Sequence, residues 1–157
     1  MRRIVLISFI LPVLTLPILV LSSSGQGLSK PPTSVMIDRG GRTMVMPSTF
    51  QLACADGNNY LSHLNWGSWR QGYAAARGTQ TMNDCTPSCA LGTFRTYPVH
   101  VVVWGNAAVT GHSDQRRFAM ITLRYPGRPP SVYSGTTKVT GPRAITSKLW
   151  NPMQPAS

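Results

Sequence analysis

The run Tyr97 to Trp104 (YPVHVVVW) is the feature that most constrains the fold. Its four valines are β-branched, which restricts their rotamers in a helix and suits them to a pleated surface. The near-continuous apolar character predicts a central, largely buried strand. Phe118 to Tyr125 (FAMITLRY) predicts a second one, with Ile121, Leu123 and Tyr125 on one face. The intervening Gly105 to Gln115 is polar and glycine-containing and predicts a connecting loop.

Upstream, Phe50, Leu52 and Cys54 alternate with Gln51 and Ala53, Asp56-Gly57 supplies a turn, and Tyr60, Leu64 and Trp66 recur on the return segment. This predicts a β-hairpin. Trp66 and Trp69 lie three apart, which places them on opposite faces of a regular strand; Gly67 between them signals a bend or an end. Gly72 to Thr81 carries conflicting propensities, helical for its alanines and extended for its threonines, and is assigned as a strand. A short strand is expected around Ser131 to Thr140 after the PGRPP stop.

No heptad, repeat or amphipathic helical stretch follows the N-terminal region. Short strands separated by Gly, Pro and Asn turns therefore predict an all-β fold, a small antiparallel β-sandwich or open barrel. At 157 residues the length fits one domain.

Arg2 and Arg3 precede an uncharged run, Ile4 to Leu21, and then the small residues Ser22 to Gly25. This is the pattern of an export signal over residues 1–24, with cleavage expected after Ser24; the run is also close to the length of a membrane span, so an uncleaved anchor is the alternative. Either places the domain outside the cytoplasm, secreted or envelope-associated. Residues 25–44 are rich in Ser, Gly, Pro and Lys and are assigned as a flexible linker. Val35 to Ile37 within them, and Met44 to Met46 across their end, are candidate edge strands around a Gly40-Gly41 turn. The β domain is assigned to residues 45–140. Residues 141–157 are assigned as a proline-containing tail in which Trp150 is a candidate docking residue.

The formal charge is +11, and +9 without Arg2 and Arg3 (11 − 2), with no glutamate in the chain. A basic surface favours anionic partners such as cell-envelope polymers and lipid headgroups. Specific nucleic-acid binding is not expected, because Arg116-Arg117 is the only adjacent basic pair after the export segment. Nothing in the sequence sets an oligomeric state.

Three cysteines in an exported chain predict one disulfide and one remaining thiol. Bridging Cys54 to Cys85 or to Cys89 closes a loop stabilised by roughly 3 to 4 kcal/mol in the chain-entropy treatment, against roughly 2 for Cys85 to Cys89. The longer closure is therefore preferred, while Pro87 suits the short CTPSC loop.

Chemistry is sparse. Cys54, Cys85, Cys89 and His100 lack the spacing of a zinc site. Asp56, Asn58, Asn59, Asn83 and Asp84 offer oxygen atoms but no EF-hand order, and capping of turns is the simpler role. No cofactor is expected. His112, Ser113 and Asp114 are adjacent and cannot converge as a triad, and no G-x-S-x-G elbow or phosphate-cradling loop is present. A cysteine nucleophile would need His63 or His100 beside the remaining thiol. A glycosidase would need Asp56 and Asp84 as its carboxylate pair. Trp66, Trp69, Trp104, Tyr60, Tyr73 and Tyr97 suit either a sugar-stacking surface or a core, the core being favoured in a small β domain. The candidate binding residues are Asp56, Asn58, Asn59, Asp84, Trp66 and Trp69.

The segments ACADGNNYL, L-x-W-x-x-W over Leu64 to Trp69, NDCTPSCA and GTFRTYPV resemble those of small secreted actinobacterial proteins, including mycobacterial ones, that have no assigned activity. The resemblance spans about Gln51 to Tyr125, with NDCTPSC its most specific part. It implies an exported, envelope-associated domain and transfers no catalytic residue. A non-enzymatic binding domain is the leading expectation; a glycan hydrolase and a small-ligand or lipid carrier are the alternatives.

Overall fold

The computed structural model describes residues 31–52, 57–134 and 137–149, all within the compact unit Pro31–Ser157. The export segment, Cys54, Asp56 and Trp150 lie outside the described residues. The described chain is all-β, and its largest element is a six-stranded antiparallel sheet.

Three long strands form the middle of that sheet: β4 (Asn59–Arg70), β5 (Tyr73–Asn83) and β6 (Phe94–Trp104). The valine run is thus the distal half of β6. The ambiguous Gly72 to Thr81 stretch is β5, because sandwiching between β4 and β6 decides what local propensity leaves open. A two-residue turn joins Arg70 to Tyr73, with Gly72 at φ 75°, a left-handed conformation natural to glycine. The predicted hairpin is present as β3 (Phe50–Gln51) on β4, with Phe50 opposite Leu61.

Gly105 to Gln115 is not a plain loop. It contains β7 (Ala107–Val109) and most of β8 (His112–Arg117), turning at Gly111 with φ 77°. These two leave the main sheet and join β1 (Thr33–Ile37) and β2 (Thr43–Met44) in a second sheet of order β2-β1-β8-β7. The β1–β8 pair is parallel, Ser34 opposite Arg116, and it departs from the antiparallel expectation. The chain returns as β9 (Met120–Arg124), which pairs with β6.

Two assignments are corrected here. Residues 25–44 are not a linker throughout: the expected edge strand Val35 to Ile37 lies in β1 with all three residues buried, and the predicted turn at Gly40-Gly41 is tied by Asp38 accepting from the Arg42 backbone N–H at 2.8 Å. A composition average cannot register a partner strand eighty residues away. The tail from residue 141 likewise contains β12 (Ala144–Lys148), which pairs antiparallel with β9 from Ala144↔Arg124 to Lys148↔Met120. A separate hairpin, β10 (Ser131–Ser134) and β11 (Thr137–Thr140), stands where one short strand was expected.

The inner face of the large sheet carries Ala74 and Ala76 of β5, Val99, Val101 and Val103 of β6, and Ile121 and Leu123 of β9, all buried. Each such Val, Leu or Ile side chain removed from water contributes roughly 1.5 to 3 kcal/mol. Met36 and Phe118 bring the second sheet into the same core.

Two bulges tune β4. Opposite the single residue Gly78, β4 sets two, His63 and Leu64, with His63 at φ 51°. A Cβ on Gly78 would stand 2.8 Å from both the Ser62 carbonyl oxygen and the Leu64 side chain, so only glycine fits there. The second bulge, at Gly67, shifts the alternation by one residue. Trp66 and Trp69 therefore share the inner face, and the expectation of opposite faces is corrected.

The outer face is left open. Register places three rows across β4, β5, β6, β9 and β12. The first runs Arg70, Tyr73, Trp104, Met120, Lys148; the second Ser68, Ala75, Val102, Thr122, Thr146; the third Asn65, Arg77, His100, Arg124, Ala144.

Candidate functional site

The connection from β5 to β6 is organised by one buried side chain, Asn83. Its amide donates to Asn58 Oδ1 at 3.1 Å and to the Cys89 carbonyl at 2.7 Å, and its Oδ1 accepts from the Cys85 backbone N–H at 2.9 Å. An asparagine with three partners in a tight turn replaces the backbone bonds that the turn itself cannot form. Asn83 thus takes the turn-capping role expected of it from the sequence rather than that of an oxygen ligand.

The disulfide joins Cys85 and Cys89, so the preferred closures from Cys54 are corrected. Loop entropy favoured the longer closure, but the Asn83 bonds hold both cysteines of the CTPSC turn together, and local geometry wins. With Cys85 and Cys89 joined, the chain has no cysteine left for Cys54 to pair with. Gly92 closes against this turn: a Cβ there would lie 2.7 Å from the Cys85 backbone nitrogen.

Asp84 is next in this arrangement. Its Oδ1 accepts from the Thr93 N–H at 2.9 Å and the Thr86 N–H at 3.3 Å, while its Oδ2 faces Arg95 Nε at 3.3 Å and Lys138 Nζ at 3.8 Å. The Thr93 N–H bond is the main reason the carboxyl is held below the usual carboxylate range, with Thr86, Arg95 and Lys138 adding to it against some desolvation.

The sequence-derived candidates separate in space. Asn58 and Asn59 stand beside the Asn83 and Asp84 turn, but their side-chain oxygens accept from Asn83 and from Gln80 Nε2 at 2.9 Å, so they work as structural acceptors. Gln80 in turn accepts from the Tyr125 hydroxyl. Trp66 and Trp69 are core residues whose indole N–H groups donate to Pro47 O at 2.9 Å and Ser34 O at 3.0 Å. Their ring faces are occupied, which removes them from a binding surface. Among the described residues, no three His, Cys, Asp or Glu side chains gather as a metal site.

What the turn borders is a groove of about 720 Å³. Met82 and Asp84 of the β5 end, Phe94, Arg95 and Tyr97 of β6, Arg128 with the buried Pro129, and Lys138 and Val139 of β11 all line it. The Asp84–Lys138 pair ties the β10–β11 hairpin to the disulfide turn. Three cationic side chains meet a single carboxylate here, and Arg128 has no carboxylate partner among the described residues. Phe94 and Val139 present apolar surface at 52% and 38% exposure. The volume suits a small ligand or a segment of a polymer, and the charge suits an anionic one. Sequence reasoning missed Arg95, Arg128 and Lys138 because they are isolated in the chain and converge only through the fold.

Comparison with protein families, curated proteins and solved structures finds no match.

Proposed function

We propose that this protein is an exported, basic β domain that acts by binding, attaching to anionic polymers or lipid headgroups of the cell envelope. The observation that carries this reading is the convergence of Arg95, Arg128 and Lys138 on one groove whose only carboxylate among the described residues, Asp84, is already shared between two of them. The net charge of +11 supplies long-range attraction to the same partners. The N-terminal export pattern and the resemblance to small secreted actinobacterial proteins support an extracytoplasmic compartment for it.

In a glycan hydrolase reading Asp84 would not serve as the acid. A glycosidase acid needs a raised pKa, and here backbone N–H bonds and cations favour the ionised form. A carrier reading is weakened on the inner face, where Val101, Val103, Phe118 and Ile121 fill the space between the sheets.

The test is co-sedimentation of the purified protein and its Arg128→Glu variant with isolated wall and membrane fractions at low salt. Arg128 is exposed, so the variant leaves the fold intact. Binding that weakens tenfold or more in the variant supports the groove as a contact; undiminished binding removes it from that role.

A further inference from the structure

The open face of the six-stranded sheet lies on the side away from the core and takes no part in the groove reading. All fifteen positions of its three rows, three times five, lack an acidic residue. Arg70 and Lys148 end the first row, and between them Tyr73 and Trp104 stand directly opposite one another at 45% and 42% exposure. In the third row Arg77, His100 and Arg124 are consecutive neighbours on three adjacent strands, all exposed. Neither arginine has a carboxylate partner among the described residues. Two arginines about 9.6 Å apart across two strand spacings repel, and like charges gathered on one face cost stability in water. An anionic ligand would offset that cost.

The middle row holds the aromatic in place. Trp104 Nε1 donates to Thr122 Oγ1 at 3.3 Å, and the Thr122 and Thr146 hydroxyls are bonded at 2.9 Å. With its polar edge satisfied, the indole keeps a fixed orientation and its exposed surface remains for stacking, so little ordering entropy is lost when a ligand arrives. Aromatic and cationic rows lie four residues apart along the strands, about 13 Å, with small and hydroxyl side chains between.

We propose that this outer face is a binding platform for an acidic polysaccharide. Sugar rings stack on Tyr73 and Trp104, ring hydroxyls meet Thr122 and Thr146, and carboxylate or sulfate groups pair with Arg77 and Arg124. A single-stranded nucleic acid also uses aromatic and basic groups, but it needs successive stacking residues along a phosphate track, and here the aromatics form one pair in one row. Choosing a glycan over a nucleic acid also rests on the extracytoplasmic reading proposed above; the platform itself is a site separate from the groove.

The experiment titrates the full chain with polygalacturonate, following tryptophan emission and affinity-gel retardation, with dextran as the neutral control and a single-stranded DNA oligonucleotide as the competing polyanion. Polygalacturonate should shift the emission and retard the protein, and dextran should do neither. Trp104→Ala and the double variant Arg77→Gln/Arg124→Gln should each weaken binding at least tenfold; Trp104→Phe should recover most of it, and Arg143→Gln, exposed and outside both the platform and the groove, should leave it unchanged. Undiminished binding in both the tryptophan and the double arginine variants overturns the platform. Tighter binding of the oligonucleotide than of polygalacturonate overturns the glycan assignment, and loss confined to Arg128→Glu transfers the site to the groove.

Discussion

Trp66 and Trp69 meet edge to face, ring centroids 4.6 Å apart and planes at 88°, although a regular strand would turn them to opposite sides. The bulge at Gly67 makes the contact possible by absorbing one residue, so that both indoles enter the core and Trp69 goes on to meet Phe118 at 5.2 Å. This junction joins the large sheet to β1 of the second one and to Phe118, the residue after β8.

Deleting Gly67 restores strict alternation and turns Trp69 outward. It then loses the bond to Ser34 O and the contact with Phe118, and the expected cost is about 3 kcal/mol or more, in the range of large aromatic truncations. Urea denaturation followed by tryptophan emission measures it. Stability within about 0.5 kcal/mol of the parent chain would show that the bulge does not set the packing.

Gly78→Ala places a methyl against the Ser62 carbonyl and the Leu64 side chain, and is expected to cost about 1 to 3 kcal/mol as an overpacked site. Gly127→Ala, with open space around it, should stay within about 0.5 kcal/mol. Paired denaturation curves check both, and equal effects would contradict the bulge geometry.

Removing the bridge through Cys85→Ser/Cys89→Ser should destabilise the domain by about 2 kcal/mol, the chain-entropy value for so short a loop. Thiol titration of the unreduced, denatured monomer should find one free cysteine, Cys54. A chain in which Cys85 or Cys89 is labelled instead would contradict the assigned pairing.

Asp84 and Tyr125 give opposite pH signatures. The Asp84 carboxyl is depressed in the folded state, so its contribution is present above its unfolded value near 3.8 and is lost as the pH falls through the lower folded value. Burial pushes the Tyr125 hydroxyl up to about 12, so the folded state holds its proton longer than the unfolded chain does. Its contribution is full below pH 10 and declines between 10 and about 12. Stability against pH for Asp84→Asn and Tyr125→Phe should each lack the corresponding slope. Parallel profiles for parent and variant would remove that group from the linkage.

How much the chain reveals before folding depends on how local each cause is. Val99 to Val103 and the alternation around Phe50 and Leu64 carry their structure in neighbouring residues, so β6 and the β3–β4 hairpin were legible. Val35 to Ile37 was legible as an edge strand but not in its parallel pairing with β8, while Ala144 to Lys148 sits among prolines and glycines and becomes a strand where β9 offers it an edge. The groove was legible only in Asp84 and in Tyr97, a candidate stacking aromatic. Arg95, Arg128 and Lys138 are dispersed along the chain, as are Arg70, Arg77, Arg124 and Lys148 of the open face, and a search for charge runs passes over both sets. Trp66 and Trp69 drew attention as rare residues, yet rarity in a small β domain marks core volume as readily as a ligand surface.

The central claim, binding to anionic envelope material through basic surface, is tested most directly by co-sedimentation of the purified protein with isolated cell-wall and membrane fractions over a salt series. The account predicts retention at about 50 mM salt and progressive release toward about 500 mM, as screening shortens the reach of the surface charge. Failure to bind at low salt, or binding indifferent to salt, would contradict it.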